Sequence, residues 1–170
     1  MIGNRQKLEG ALWVLAHGSS EENELTIPVV SNSADLDENQ IRWELHALRL
    51  FAVESGAYLG CSGDPSRYDR LLAALYGPMV REYRESSNPQ ASLDFQTLKA
   101  RVELYRQVVE TTEACETSPE NLVRRVGQLF AELCKSTDSN VADVGSSVFL
   151  AVARQAKHVA ELVVMDDGLP

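Results

Sequence analysis

Three polar side chains fall within the apolar faces of predicted helices, and they are the residues with the clearest potential for chemistry. On helical wheels, Glu44, Arg101 and Gln155 each lie among apolar neighbours on a different helix. Because a buried carboxylate is costly unless it is paired, we expect Glu44 to meet Arg101 or Gln155 inside a helical bundle. Two roles are open to such a group. It forms a hydrogen-bonded pair that fixes helix register, which we favour, or it lines a small ligand pocket between helices.

Patterns typical of metal sites and of catalytic nucleophiles are not found in the sequence. Helical di-iron proteins use Glu-x-x-His motifs, whereas the nearest approach is the reversed order, His158 followed by Glu161 on a charged helix face. The Gly-Cys-Ser-Gly segment at residues 60–63 is explained by a turn. There is neither a Gly-x-Ser-x-Gly elbow nor a phosphate-binding glycine loop. We therefore predict no metal, no cofactor and no catalytic residues.

One short stretch resembles a known family. Residues 12–19, Leu-Trp-Val-Leu-Ala-His-Gly-Ser, resemble the first strand and His-Gly-Ser turn of the small cobalt and iron chelatases of tetrapyrrole synthesis. The resemblance implies a strand before His17 and a catalytic or metal-holding role for that histidine. It covers only this stretch, and the later strands of these α/β enzymes have no counterpart in the chain. On the other interpretation, His17 is the last residue of a helix, where a partly positive imidazole suits the helix dipole.

The elements that must position these residues are organised around a predicted helix at residues 41–59. Asp37 and Gln40 form a capping box before it, and Leu36 is placed to pack on Ile41 as a hydrophobic staple. Its apolar face is wide, so most of the helix is expected to be buried. The wide face includes Trp43, Phe51, Tyr58 and Leu59, and the narrow outer face carries Arg42, His46, Arg49 and Val53.

Before this central helix, the pattern predicts one short helix and a long connection. Leucines at helical spacing favour a helix at residues 4–17 that ends at Gly18, although the apolar run at 11–16 is also compatible with a strand. Residues 19–35 are mostly polar, and we expect 26–30 to be extended because of Pro28. A connection of this length is a place to look for partner contact.

After the central helix, four further helices are predicted. They begin near Pro65, Ser92, Pro119 and Ser139, with a kink at Pro78 and, in the last helix, a segment at 145–147 small enough for close helix contact. The valine-rich end of the last helix, 162–165, is also compatible with an extended conformation. We predict an all-α fold, an irregular antiparallel bundle of about six helices with a long N-terminal connection. The chain is interpreted as one domain, 1–170, with a helix and loop at 1–36, a helical core at 37–165 and a tail at 166–170.

Composition restricts the function classes. A formal net charge of −9 over 170 residues argues against a nucleic-acid binder, because that class needs a basic surface. No apolar stretch approaches the roughly 20 residues of a membrane span, and no signal-peptide pattern is found at the N-terminus. The three widely spaced cysteines fit neither a disulfide framework nor a zinc site, so we expect them to be reduced and buried. These features predict a cytoplasmic protein without membrane or nucleic-acid partners.

The acidity, the helical architecture and the lack of a catalytic pattern together favour a protein-interaction function. We expect an adaptor, a regulator or an antagonist of a basic partner, acting through a protein partner or self-association. Arginine and tyrosine are favoured at interfaces, so the predicted contact residues are Tyr76, Arg81, Tyr83 and Arg84. The alternative is an enzyme or small-ligand-binding protein with a polar pocket around Glu44, Arg101 and Gln155. A polar cavity open to solvent favours this alternative, whereas an apolar outer patch favours the interaction function.

Overall fold

The computed structural model describes residues 4–85, 89–113 and 118–166 of the chain. Within these ranges it is a bundle of seven helices without strands, so the all-α prediction is confirmed with one helix more than expected. The helices are α1 (Asn4–His17), α2 (Ser20–Ser31), α3 (Glu38–Gly60), α4 (Pro65–Glu85), α5 (Pro89–Glu113), α6 (Pro119–Leu133) and α7 (Ser139–Asp166). Residues 11–16 lie in α1, so the strand alternative, and with it the strand implied by the chelatase resemblance, is wrong. None of the described helices is both long and apolar enough to cross a membrane.

The additional helix is α2, which replaces the extended segment predicted at 26–30. Pro28 lies inside this helix, where its ring removes one backbone donor. Ile27 and Val30 are nevertheless 1% and 0% exposed, three residues apart on the side of α2 that packs against α3 and α7. The prediction was wrong because burial of this apolar side outweighs the local preference set by the proline.

The central helix α3 begins as predicted. The Asp37 carboxylate accepts a hydrogen bond from the Gln40 backbone N–H at 2.9 Å, and the Gln40 side chain accepts one from the Asp37 N–H at 3.3 Å. These two bonds satisfy backbone donors that the first turn of a helix leaves free. The capping box is therefore confirmed, and it fixes where α3 starts.

One face of α3 that was predicted to be exposed is covered by α1. Arg49 is 4% exposed and Val53 is 0% exposed. The Nδ1–H of His46 donates a hydrogen bond to the Ala16 carbonyl oxygen at 3.1 Å. Gly18, with a φ of +73°, ends α1 directly against the Arg49 guanidinium, so a side chain at this position would have to displace that group and adopt a backbone conformation that favours glycine. The predicted outer face was wrong for Arg49 and Val53 because a helical wheel does not reveal which neighbours pack on it.

Helices α3 and α7 form the central pair of the bundle, as expected for the two most buried helices. Their close approach depends on Gly56 and Gly60 of α3. A methyl group on Gly60 would lie 2.6 Å from the Cβ of Ala160, and one on Gly56 would overlap the carbonyl oxygen of Ala153. Small residues on both helices therefore allow direct backbone contact.

Helix α6 packs on the N-terminal half of α7 through a similar contact. A methyl group on Gly127 would overlap Ser146, and one on Gly145 would lie 2.7 Å from the ring of Phe130. This confirms the predicted close approach at residues 145–147. The end of α7 is helical up to Asp166, whereas the predicted tail residues 167–170 lie outside the described residues.

Four helices enclose the region that carries the larger of the two candidate sites. Helix α3 packs against α5 and α7, and α6 packs against the same two helices, so that α5 and α7 lie on opposite sides. Inside this arrangement Phe51 stacks between Tyr105 and Phe149, with ring centroids 5.4 and 5.5 Å apart. Such aromatic stacking adds about 1 kcal/mol per pair to the burial of the rings. The stack therefore joins α3 to α5 and α7 at this level of the bundle.

Candidate functional site

Glu44 and Arg101 meet between α3 and α5. The Nε of Arg101 lies 3.2 Å from Oε1 of Glu44, whose side chain is 6% exposed. The predicted pairing of these two residues is confirmed. Gln155 is exposed on α7, so its predicted inward orientation is wrong. The side of α7 that packs on α3 carries the small residues Ala156 and Ala160, and Gln155 falls outside that contact.

The Glu44 carboxylate is poorly satisfied for a buried group. Its Oε2 has no hydrogen-bond partner among the described residues. Burial raises the pKa of Glu44 from 4.5 to about 6, against the opposing effect of Arg101. Burial, with a further contribution from the Glu44 charge, also raises the pKa of the Tyr105 hydroxyl well above 10 and that of the Cys134 thiol to about 12. Of these three groups, only Glu44 therefore changes charge near neutral pH.

A pocket of about 340 Å³ opens beside this pair. It is lined by Trp43, Glu44, Arg101 and Lys135 together with Leu36, Gln40, Asp94, Thr97 and Leu133. The guanidinium carbon of Arg101 lies 6.0 Å from the centre of the Trp43 ring, at the outer limit of a cation–π contact. The pocket thus combines acidic, basic and apolar walls.

The two histidines at the contact of α1 and α3 lie side by side, with ring centroids 4.6 Å apart. His17 donates from Nδ1 to the Trp13 carbonyl oxygen at 2.9 Å. Burial lowers the pKa of His46 to about 4, and nearby His17 and Arg49 contribute further. Among the described residues no three His, Cys, Asp or Glu side chains are placed to hold a metal ion. The metal-holding role that the chelatase resemblance implies for His17 thus has no set of ligands around it in this part of the chain.

A second polar cluster, which the sequence analysis did not predict, joins α3, α4 and α5. Arg106 donates to both carboxylate oxygens of Glu54, from Nε to Oε2 at 3.1 Å and from Nη2 to Oε1 at 2.7 Å. The Tyr76 hydroxyl also donates to Glu54 Oε1. Glu54 is only 2% exposed, yet its oxygens are well supplied with donors. The signal in the sequence was that Arg106 follows Val102 by four residues and precedes Val109 by three, which places it next to an apolar face.

Beside this cluster lies a wide groove of about 540 Å³, open to solvent. We call it the α3–α7 groove and define it by the residues of α3, α4, α5, α6 and α7 that line it. Its apolar walls are Phe51, Val109, Leu122, Val123, Phe149, Leu150 and Ala153. Arg106 and Glu54 line one side of it. The volume lies within the range of about 300 to 1,000 Å³ that is usual for ligand sites.

The rim of the α3–α7 groove exposes two large apolar residues of α3. Tyr58 is 58% exposed and Leu59 is 60% exposed. Both were predicted to lie on the buried face of α3, and that prediction was wrong: the Tyr58 ring contacts only the edge of Tyr68 on α4, with ring centroids 5.4 Å apart, and most of its surface stays exposed. Glu110 on α5 and Arg154 on α7 complete the rim, and neither forms an ion pair with the described residues.

The predicted contact residues on α4 have different environments. The Tyr76 ring is largely buried and its hydroxyl is held by Glu54, so it is not available as a surface anchor. Arg81 is exposed. The side chains of Tyr83 and Arg84 lie outside the described residues. The role of Arg81, Tyr83 and Arg84 in partner binding stays a prediction.

Cysteine placement agrees with the expectation of reduced, buried thiols where the structure describes it. Cys61 and Cys134 are buried and free, whereas Cys115 lies outside the described residues. Burial raises the pKa of Cys61, so a smaller fraction of this thiol is deprotonated at neutral pH. Cys61 therefore lacks the lowered pKa that is typical of an activated nucleophile.

Comparison with known proteins gave no relatives. No protein-family model, no curated protein and no solved structure matches the chain. The function must therefore be argued from the two sites themselves.

Proposed function

We propose that the chain is a protein-interaction module whose α3–α7 groove binds an amphipathic helix of a protein partner. The observation that carries this proposal is that the apolar groove is continuous with two exposed apolar residues, Tyr58 and Leu59. Large exposed apolar surface next to a groove is typical of an interaction site. A cytoplasmic location, expected from the sequence, is part of the same proposal.

The shape and lining of the groove suit the apolar side of a helix. Grooves of this kind take large side chains spaced at positions i, i+3 or i+4, and i+7 of the bound helix. The walls of the α3–α7 groove come from facing helices, and two of the wall residues, Phe51 and Phe149, stack on each other. A partner helix that inserts two or three apolar side chains would replace water along these walls, which is favourable by about 25 cal/mol per Å² of apolar surface.

Exposure at the rim favours a protein partner over a small molecule. A ligand held inside the groove would leave the outer surfaces of Tyr58 and Leu59 in water. A helix laid across the opening covers both side chains, and tyrosine is one of the residues that contribute most to binding at protein interfaces. The exposed rim therefore supports the proposal of an occupant larger than the groove.

Charge at the rim supports a partner with complementary charges. Glu110 lies on the α5 side and Arg154 on the α7 side, and each lacks an ion-pair partner among the described residues. A complementary helix carries a basic residue facing Glu110 and an acidic residue facing Arg154. The net charge of −9 makes a basic partner protein the favoured one, because long-range attraction increases the association rate.

The proposal is tested with two matched variants of α7. Ala153 lines the groove and Ala151 is exposed outside it, so Ala153→Glu blocks the groove with a charge while Ala151→Glu changes the surface equally elsewhere. A photo-crosslinking amino acid is placed at Leu59 in the wild type and in both variants. Each protein is exposed to extract of its native cells, and crosslinked peptides are sequenced by mass spectrometry.

The expected result is a crosslink from position 59 to one amphipathic helical segment bearing acidic and basic residues. This crosslink should be lost in Ala153→Glu and retained in Ala151→Glu. Three outcomes would contradict the proposal. They are a crosslink retained in Ala153→Glu, a crosslink to a second copy of the chain, and a small molecule that native mass spectrometry finds in the wild type but not in Ala153→Glu.

A further inference from the structure

Arg101 brings a set of unpartnered hydrogen-bond donors to the pocket of about 340 Å³ between α3 and α5. Its Nε lies 3.2 Å from Oε1 of the buried Glu44, so this ion pair holds the inner edge of the guanidinium. The outer nitrogens, Nη1 and Nη2, form no hydrogen bond with the described residues and, unlike Nε, are not closed to solvent. They carry four of the five N–H groups of the planar guanidinium. Such a fixed fork of donors suits a carboxylate, which accepts two parallel hydrogen bonds from an arginine.

Lys135 brings a second positive charge to the same pocket. Its side chain is exposed and forms no ion pair with the described residues. It lies shortly after the end of α6 with a φ of +53°, in the left-handed region where glycine is usual, as it is for Gly18 after α1. Because a side chain in this conformation costs stability relative to glycine, the fold alone does not favour a lysine here. Its ammonium group is therefore available to bind an anion.

Two carboxylates in the lining limit the charge of the anion. Glu44 has one oxygen held by Arg101 and the other closed to solvent, so its charge is offset and it offers no acceptor to an occupant. Asp94 precedes Arg101 by seven residues on α5, which places it about 10 Å away along the helix axis. Its carboxylate repels negative charge at that end of the pocket. A ligand with one negative charge at Arg101 and an uncharged body towards Asp94 matches this distribution, whereas a dianion does not.

The apolar walls restrict the rest of the ligand. Leu36, Leu133 and Trp43 line the pocket together with the charged groups. The guanidinium carbon of Arg101 lies 6.0 Å from the centre of the Trp43 ring, so the charged and apolar parts of the lining are adjacent. These walls favour a hydrocarbon body, because its contact with them removes apolar surface from water. A volume of about 340 Å³ is at the lower end of the usual range for ligand sites and suits a small molecule.

We propose that this pocket binds a small organic monocarboxylate with an apolar body. The ligand carboxylate accepts hydrogen bonds from Nη1 and Nη2 of Arg101 and pairs with Lys135. Its body lies against Trp43, Leu36 and Leu133. This inference goes beyond the proposed partner site and is independent of it, because the two pockets share no lining residue. It assigns the chain a second function, the binding of a small organic acid.

Four related compounds test the chemistry one group at a time. The probe is 3-phenylpropanoate, 3-phenylpropan-1-ol replaces its charge by a hydroxyl, and 3-phenylpropan-1-amine reverses the charge. The fourth, 4-(2-carboxyethyl)benzoate, adds a second carboxylate at the far end of the ring. Isothermal titration calorimetry at pH 7.5 should show binding of 3-phenylpropanoate, an affinity about tenfold lower for the alcohol and for the dianion, and no binding of the amine. Asp94→Asn should restore part of the affinity for the dianion.

Variants connect binding to the named residues. Arg101→Lys keeps a charge beside Glu44 but loses the planar fork, and it should lower the affinity for 3-phenylpropanoate about tenfold. Lys135→Gly should lower this affinity by a similar factor while raising the urea midpoint, because glycine suits its φ of +53°. Lys99→Ala is the control, an exposed lysine of α5 outside the pocket, and should bind normally. Lys135→Gly stays informative even where Arg101→Lys does not fold.

Several results would overturn the proposal. Binding of the alcohol or the amine as tight as that of 3-phenylpropanoate would exclude the assigned roles of Arg101 and Lys135. Unchanged affinity for 3-phenylpropanoate in Lys135→Gly, or in folded Arg101→Lys, would place the ligand elsewhere. Absence of both binding heat and any rise in unfolding midpoint at about 10 mM 3-phenylpropanoate would exclude binding itself, because a ligand that binds the native state must stabilise it. Ala153→Glu, which blocks only the α3–α7 groove, should bind 3-phenylpropanoate as the wild type does, and a loss there would contradict the independence of the two sites.

Discussion

The guanidinium of Arg106 holds both oxygens of the buried Glu54 carboxylate, with Nε 3.1 Å from Oε2 and Nη2 2.7 Å from Oε1. Glu54 is on α3 and Arg106 is on α5, so this pair links the central helix to one wall of the α3–α7 groove. Bidentate pairing of this kind fixes orientation as well as charge. For the proposed partner site, the pair preorganises one wall of the groove, which would lower the cost of ordering on binding.

Removal of Arg106 should destabilise the fold. Arg106→Ala leaves Glu54 as a buried charge with only Tyr76 as donor, and we expect a loss of about 2 kcal/mol, reduced from the full value for a buried pair because Arg106 is partly exposed. Urea unfolding measures the change. The double variant Glu54→Leu with Arg106→Met should recover most of the loss, since it removes both charges. Equal stability of wild type and Arg106→Ala would show that the pair contributes nothing.

A methyl group between α3 and α7 should be strongly destabilising. Gly60→Ala places its Cβ 2.6 Å from the Cβ of Ala160, and separating the two helices should cost about 3 kcal/mol. Gly10→Ala is the matched control, because nothing lies within 4 Å of the added atom. That variant should gain about 0.5–1 kcal/mol from the better helix propensity of alanine. Similar thermal midpoints for the two variants would contradict the close packing of α3 and α7.

Glu44 should make the protein gain stability in acid relative to a variant that cannot ionise at this position. Burial raises the pKa of this carboxyl from 4.5 to about 6, so the folded state binds the proton more tightly than the unfolded state does. The resulting stabilisation is complete below pH 4.5 and is lost as the pH rises through 6. Relative to Glu44→Gln, the wild type should gain about 2 kcal/mol between pH 7.5 and pH 4. Urea unfolding across this range checks it, and parallel pH profiles would refute it.

His46 should make the protein lose stability in acid. Burial, together with nearby His17 and Arg49, lowers the pKa of His46 from 6.5 to about 4, so the folded state disfavours the protonated ring. The stabilisation is complete above pH 6.5 and is lost as the pH falls towards 4. Compared with His46→Gln, the wild type should lose about 3 kcal/mol between pH 7.5 and pH 4. The chemical shifts of the ring protons give the pKa directly, and a midpoint near 6.5 would contradict burial of this face.

Local features were predictable because they depend on residues close in sequence. The capping box of Asp37 and Gln40 spans three residues, and it placed the start of α3 correctly. Helical spacing likewise placed Glu44 inside the bundle, and the high cost of a lone buried carboxylate indicated that it needs a partner. That reasoning left Arg101 and Gln155 as equal candidates, because nothing in the sequence says which helix packs beside Glu44.

The sequence by itself therefore determined the helical class, most helix boundaries and the need of Glu44 for a partner. Tertiary structure decided which faces are covered. It buried Arg49 beneath α1, exposed Tyr58 and Leu59, and ordered α2 despite Pro28. It also joined Glu54 to Tyr76 and Arg106, across 22 and 52 residues of sequence. The physical reason is that a helical wheel describes the periodicity of one helix, whereas burial and ion pairing depend on neighbours that only the packed bundle supplies.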